Sequence, residues 1–321
     1  MVAAGAEDRT GAATSRAYLL LTFTSICFGA NTTFAKLLVG EASPMVVVAL
    51  RWLLVVLLLA AFNTKALMRD WPHLRPRLKF LFAMGALGFA SFNALFYIAA
   101  HHTTAVNMGI IQGMMPALVL AGAWLAYRTP ARKLQWVGAA VTLAGVAVVA
   151  SAGDAERLLR LRFNTGDLLV VLAVVLYAGY TVGLRRRPES TALGLFTVLA
   201  ASAFLASLPM VAAEAWLGEF LAPSLEGWVV IALVALLPSF LAQVLFIQGV
   251  EIIGPGRAGI FVNLVPVFAA IIAVAYLGED FHLHHGLALA LVLGGIWLAE
   301  RAAGAAVPRS DTEKVNRRRR V

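Results

Sequence analysis

The chain contains itself twice, offset by 150 residues without a gap. Placing 91–151 over 241–301 sets Phe96 on Phe246, Gly109 on Gly259, Ile110 on Ile260 and Pro116 on Pro266. Ala123 then falls on Ala273, Gly145 on Gly295, and Asn93 on Gln243, another carboxamide. Self-similarity at a long fixed offset marks a duplicated unit. If each unit crosses a membrane an odd number of times, the two copies lie upside down relative to each other.

Composition sets the solvent. Hydrophobic residues make up 61% of the chain and charged residues 13%, against roughly 45–50% and about 25% in a soluble domain. Ten apolar runs reach or approach the ~20 residues that cross a hydrocarbon core: 17–39, 44–62, 80–100, 104–127, 134–151, 166–184, 192–216, 228–250, 257–277 and 284–300. The expectation is an all-α polytopic membrane protein with ten transmembrane helices in two inverted five-helix repeats. Residues 1–16 form an N-terminal tail, 17–152 the first repeat, 166–301 the second, and 302–321 a basic tail. Residues 1–16 are small and polar and the first apolar run is too long for a signal-peptide core, so span one is read as an uncleaved anchor. The single cysteine, Cys27, lies in that span as a small apolar residue.

Basic residues set the orientation. Lys65, Arg69, Arg75, Arg77 and Lys79 separate spans two and three. Arg128, Arg132 and Lys133, then Arg185 to Arg187, then Arg257 occupy the next alternate loops, and Arg301, Arg309, Lys314 and Arg317 to Arg320 follow span ten. The positive-inside rule puts these loops and both termini in the cytoplasm. Arg157, Arg160 and Arg162 are the exception, on the opposite side beside Asp154 and Glu156. The net charge of +9 is thus accounted for by topology, and no nucleic-acid partner is expected. The basic tail is a solvated segment that also touches anionic lipid.

Two matched prolines mark the centre. Pro116 and Pro266 fall near the middle of spans four and nine, where each removes an intrahelical hydrogen bond and frees the carbonyl four residues back, of Gln112 and Val262. A freed carbonyl in lipid needs a partner from protein or water, so these faces point into the bundle. The amides Gln112 and Asn263 stand beside them. Asn31 and Thr32, Asn93 and Tyr97, Tyr177 and Tyr180, and Ser239 and Gln243 lie at similar depth on spans one, three, six and eight. Such a set suits a cavity in which aromatics enclose an organic solute and amides orient it. The candidates for solute binding are Asn31, Asn93, Tyr97, Gln112, Tyr177, Tyr180, Gln243 and Asn263, with Pro116 and Pro266 as conformational elements. Gly109 and Gly113, Gly179 and Gly183, and Gly294 and Gly295 permit close helix packing.

Charges inside spans are few. Arg51 lies about a third of the way into span two, and Lys36 sits near the outer end of span one, placed to snorkel. Glu214, Glu251, Glu279 and Glu300 fall at span ends, so no buried carboxylate relay is evident. GPGRAG at 254–259 matches a dinucleotide pattern but joins two membrane helices rather than opening a βαβ unit. HLHH at 282–285 offers imidazoles at a spacing that fits no standard zinc site. No H-E-x-x-H, G-x-S-x-G or Walker-type loop occurs, so a membrane enzyme has no constellation to rest on.

CFGANTTFAKLL and SPMVVVALRW in spans one and two resemble the opening of the EamA-type members of the drug/metabolite transporter superfamily. FYIAAHHTTAVNMGIIQGMMPALVLAGAWL with LQWVGAAVTLAGV is similar to the close of their first repeat. VLFIQGVEIIGPGRAGIFVNLVPVFAAIIAVAYLGED with GLALALVLGGIWLAER is similar to the close of their second. The resemblance spans about 17–301. One departure stands out: Gly278 and Glu279 supply the family's Gly-Glu pair in the second repeat, while Tyr127-Arg128-Thr129 replaces it in the first. The resemblance implies a central cavity open alternately to each side of the bacterial inner membrane. It also implies transport of a small organic metabolite, amino-acid-like or aromatic. Export is the first expectation, and uptake of a vitamin such as riboflavin the alternative. The partners expected are a small-molecule solute and the lipid bilayer, with homodimerisation left open; no cofactor or metal is expected. The mechanism expected is rocking of one repeat against the other.

Overall fold

A computed structural model describes residues 2–154, 156, 164–253, 258 and 261–304. Arg157, Arg160, Arg162, most of the GPGRAG segment including Arg257 and Gly259, Ile260, and the basic tail from Arg309 lie outside the described residues. Helix is the only regular structure among those described. In chain order it comprises α1 (Val2–Leu37), α2 (Pro44–Leu74), α3 (Leu78–Gly85), a π-helical turn (Ala86–Ser91) and α4 (Phe92–Ala100). Then come α5 (Ala105–Gln112), α6 (Met115–Tyr127), α7 (Lys133–Ala150), α8 (Thr165–Gly183) and α9 (Ala192–Trp216). The chain continues with α10 (Leu225–Val234), a second π-helical turn (Ala235–Leu241), α11 (Ala242–Ile253), α12 (Val265–Ile272), a third π-helical turn (Ala273–Leu277) and α13 (Leu283–Gly304). Helix α1 reaches back through most of the segment expected to be a tail.

Eight helical stretches among the described residues are long and apolar enough to cross a membrane, against ten expected. One of the eight runs 57 residues, Pro44–Ala100, because a 3₁₀ turn at Arg75–Arg77 joins α2 to α3 with no non-helical residue between them. It cannot be straight: Arg51 bonds Asn93, 42 residues on, which a straight helix would hold about 63 Å away. The run is a hairpin of two helices. The apolar helix Val265–Leu277 is shorter than a full span, since its run is interrupted at Asn263–Leu264.

Polar contacts sort the loops into two ends. At one end, Asp70 accepts from the Thr191 backbone N–H at 2.8 Å and its hydroxyl at 2.5 Å. There Arg185 also donates to Thr129 and lies over the Tyr127 ring. The basic loops after α2, α6 and α8 therefore meet. At the other end, Ser43 donates to Glu214 at 2.6 Å, Thr103 donates to Asp167, and Ser224 bonds Glu41. Helices α2 and α9 are thus fastened at both tips. Asp70 holds the N-cap Thr191 of α9, while Glu214 also accepts from Met45 N–H in the first turn of α2, where a carboxylate is favoured by the helix dipole.

The 150-residue offset reappears in the backbone. The first two π-helical turns, the breaks at Gly113–Met114 and Asn263–Leu264, and the left-handed helix ends at Arg128 (φ 51°) and Gly278 (φ 67°) are all matched pairs. Between the matched helices α7 and α13 the contacts are reciprocal. A Cβ at Gly138 would lie 2.5 Å from Gly295 O, and one at Gly145 would lie 2.8 Å from Ala288 O. Early residues of one helix meet late residues of the other, so the two run antiparallel. Reciprocal contact between equivalent surfaces is the signature of a twofold axis, here perpendicular to both helices. Packing also crosses between repeats: α1 lies on α11 and α12, and its counterpart α8 lies on α4 and α6.

Candidate functional site

Both discontinuous helices pass through the centre. Helix α5 ends at Gln112, two residues turn, and α6 restarts with Pro116 in its first turn; α12 restarts in the same way with Pro266. Proline suits these positions because the first helical N–H groups have no intrahelical acceptor. The bonds Met114 N–H to Ile111 O and Leu264 N–H to Phe261 O tighten the two breaks equivalently. The helices approach closely, since a Cβ at Gly109 would lie 2.3 Å from that of Ala269, and one at Gly113 would lie 3.1 Å from Pro266.

Beside this crossing lies a cavity of about 200 Å³, lined by both repeats. Asn31, Asn93, Gln112, Tyr177, Gln243 and Asn263 line it, as do Pro116 and Pro266. Gly113 and Val262, the unmatched counterparts of Asn263 and Gln112, line it too. Tyr97 and Tyr180 are placed one layer behind. Tyr97 reaches the cavity only through its bond to Arg51. Tyr180 packs against Phe89 and Tyr177, and its Cβ occupies the space that a side chain at Gly88 would fill. The aromatic wall has Trp52 stacked on Phe89 at 4.8 Å and 4°, with Phe196 edge-on to both and Tyr177 tilted on Phe92.

Arg51 organises the polar wall. Its residue is 6% exposed, and among the described residues it is the one charged side chain lining the cavity. Nε donates to Ser239 Oγ at 2.8 Å, and the two N–H groups of Nη1 are shared among Asn93 Oδ1 and Tyr97 Oη at 2.9 Å and Asn31 Oδ1 at 3.1 Å. Two of these acceptors are prepared by the first two π-helical turns. Pro238 has no N–H for the Val234 carbonyl, so the Ser239 hydroxyl donates there at 2.7 Å and leaves its lone pair to Arg51. Asn93 Nδ2 likewise donates to Phe89 O in the first turn at 2.7 Å, which turns Oδ1 to the guanidinium. Each bond to a charged group contributes about 1.5–3 kcal/mol, offsetting a desolvation cost of several kcal/mol. Local sequence carries no signature of such turns beyond Pro238; an arginine deep in an apolar span was the available signal for Ser239 and Trp52 as well as for itself.

The other charges are occupied at helix ends. Lys36 does not reach for water. Its Nζ donates to Ala100 O and Thr103 O at 2.8 and 3.0 Å, capping the C-terminus of α4, where a cation is favoured. His285 Nδ1 accepts from His282 N–H at 3.1 Å, as Gln135 Oε1 accepts from Arg132 N–H 150 residues earlier. HLHH is thus a helix start, and no group of three potential metal ligands occurs among the described residues.

Both halves of the chain, 15–151 and 164–300, match the EamA-like transporter family. The chain belongs to that family. It is similar to the uncharacterized transporter YyaM of Bacillus subtilis, 29% identical over 88% of this chain and 92% of the relative. It is also similar to the uncharacterized inner membrane transporter YedA of Escherichia coli K12, 27% identical over 84% and 86%. A solved crystal structure shares the fold, with TM-score 0.60 and 18% identity over 92% of this chain and 99% of the other. The protein is therefore a multi-pass membrane transporter of the EamA type. Within it, Glu279 of the Gly-Glu pair accepts from Ala105 and Val106 N–H at 2.8 and 3.0 Å, capping α5. In the first repeat Thr129 replaces that glutamate, and the counterpart of Ala105 is Pro255, which has no N–H to offer.

Proposed function

We propose that this protein is a secondary carrier of a small organic metabolite, exporting it across a bacterial inner membrane by alternating access. The carrying observation is the cavity at the crossing of two matched, proline-restarted helices, with side chains of both repeats in its wall. Discontinuous helices at a repeat interface are where carriers place their solutes. Counting Pro44–Ala100 as two crossings and the segment that includes Val265–Leu277 as one gives ten spans, and the antiparallel α7–α13 pair supports inverted repeats. The shared end of the basic loops supports a cytoplasmic location for both termini.

Packing across the repeats supports moving bodies that differ from the two repeats. Since α1 packs on α11 and α12, and α8 on α4 and α6, each body takes helices from both halves. The cavity opens as these mixed bundles tilt about the broken helices. Solute is oriented by Gln112, Asn263, Asn93, Gln243 and Asn31 and enclosed by Tyr177, with Tyr97 and Tyr180 holding the layer behind. The test compares metabolites of cells lacking and overproducing the protein, then measures counterflow of the leading candidates in proteoliposomes. Gln112→Ala with Asn263→Ala is expected to reduce that flux at least tenfold at equal expression. Unchanged flux sinks the site, and linear, non-saturating flux without counterflow sinks the carrier.

A further inference from the structure

The cavity is electrically unbalanced. Arg51 brings a full positive charge, and no Asp or Glu is among its lining residues. All four acceptors of the guanidinium are neutral side chains, and its Nη2 has no acceptor among the described residues. The nearest acidic link is indirect: Asn263 donates to Glu300, which lines a separate, smaller pocket beyond Pro116. A second unmet donor stands beside Arg51. Trp52 lines the same cavity at 4% exposure, and its indole N–H has no acceptor. An ionisable side chain held inside a membrane protein and left without a counter-ion points to a ligand that supplies one. A guanidinium with one free nitrogen keeps N–H donors for an oxyanion, which it can hold by a charge-assisted hydrogen bond.

The rest of the wall describes the rest of the solute. Phe89, Phe92, Tyr177, Phe196 and Phe28 face the cavity, a surface suited to an apolar or aromatic body. The volume of about 200 Å³ lies below the usual ~300–1,000 Å³ of ligand pockets, which suits a small solute. No lining carboxylate stands ready for an ammonium group. We infer that the transported solute is a small organic anion, a carboxylate on an aromatic or apolar body, with Arg51 as its counter-ion. This rests on the carrier reading above and names its substrate class.

The probes are phenylacetate, phenylacetamide and phenethylamine, which share a ring and differ in charge. Whole protein in detergent is melted by intrinsic fluorescence at neutral pH with each probe up to about 10 mM, where a ligand of the folded state raises Tm with dose. Phenylacetate is expected to stabilise the wild type at concentrations at least tenfold below those needed by the other two. Arg51→Lys, which keeps the charge but cannot both hold these acceptors and present a free N–H to the solute, is expected to weaken that response tenfold or more, and Arg51→Gln to abolish it. The inference is overturned if the amide or amine stabilises as well as the acid, if the acid has no effect, or if it acts undiminished on Arg51→Gln. Should Arg51→Gln fail to fold, the wild-type trio decides alone. Counterflow separates the two readings. Robust flux of a neutral or cationic solute indifferent to phenylacetate removes the anion assignment and leaves the carrier. Tight binding of phenylacetate with no counterflow of any solute leaves the anion site and removes the carrier.

Discussion

Two neighbouring glycines on α13 have opposite surroundings. A Cβ at Gly294 would meet nothing within 4 Å, whereas one at Gly295 would lie 2.4 Å from Thr142 Oγ1, 2.5 Å from Gly138 O and 2.6 Å from Thr142 N. Two of those three atoms are backbone and cannot rotate aside. Ordinary Cβ contacts begin near 3.4 Å, so Gly295→Ala drives α7 and α13 apart by about 0.9 Å. A gap of that size forfeits a quarter to a half of each dispersion contact along the seam, and overpacking of this kind costs about 1–3 kcal/mol. Gly294→Ala meets no obstacle and gains up to about 1 kcal/mol of helix propensity. The two variants should therefore differ by about 1–4 kcal/mol with opposite signs. At about 2 °C per kcal/mol, the lower end for larger domains, their melting temperatures in detergent separate by about 2–8 °C. Gly138→Ala, whose Cβ would meet Gly295 O at 2.5 Å and Ala299 N at 2.8 Å, should behave as Gly295→Ala does. Melting of Gly295→Ala at or above the wild type, or below it by no more than Gly294→Ala, would refute the reciprocal seam and with it the twofold relation of α7 and α13.

Glu279→Ala removes the acceptor for two N–H groups at the start of α5, a cap worth about 1–2 kcal/mol. Glu279→Gln is expected to lose about half as much, and a melting temperature of Glu279→Ala equal to the wild type would show that the cap contributes nothing. His101 follows α4 at the end where Lys36 sits, and burial, aided by the charges of His102 and Lys36, lowers its pKa. The unfolded chain then takes up the proton first, so stability is lost as pH falls below about 6.5 and the loss levels off below the folded value. His101→Gln should flatten the melting profile in that window, and an unaltered acid slope would assign it to other groups.

The duplication was legible because matched residues survive at a constant offset of 150 positions, and with it came the paired breaks at Pro116 and Pro266. Amides and hydroxyls in apolar spans are expensive enough to announce themselves, which is why six of the eight proposed site residues line the cavity. Tyr97 and Tyr180 are placed behind it because depth along a span is readable from sequence and azimuth around a helix is less so: Tyr177 and Tyr180, one turn apart on α8, face a cavity and a packed layer respectively. The tie of Arg51 to Ser239 was hidden because it depends on a register shift in the backbone, and hydropathy does not register π-helical turns. Helix-end roles of Lys36, Glu214 and Glu279 were equally out of reach, since each charge caps a helix distant in the sequence.

The exchange of partners between the repeats bears on how the chain is made. Ser25 of α1 donates to Phe261 O at 2.6 Å, and Thr24 lies 3.3 Å from Ala242 O, so the inner face of α1 is completed only by residues more than 200 positions downstream. Until those residues are made, that face has only its own helix to bond, and Thr24 and Ser25 have Leu20 O and Leu21 O within reach for their hydroxyls. The duplicated unit is thus an ancestral length of sequence without being a unit of assembly. Either half produced alone should be cleared by proteolysis, while the two halves co-expressed as separate chains should find each other and accumulate.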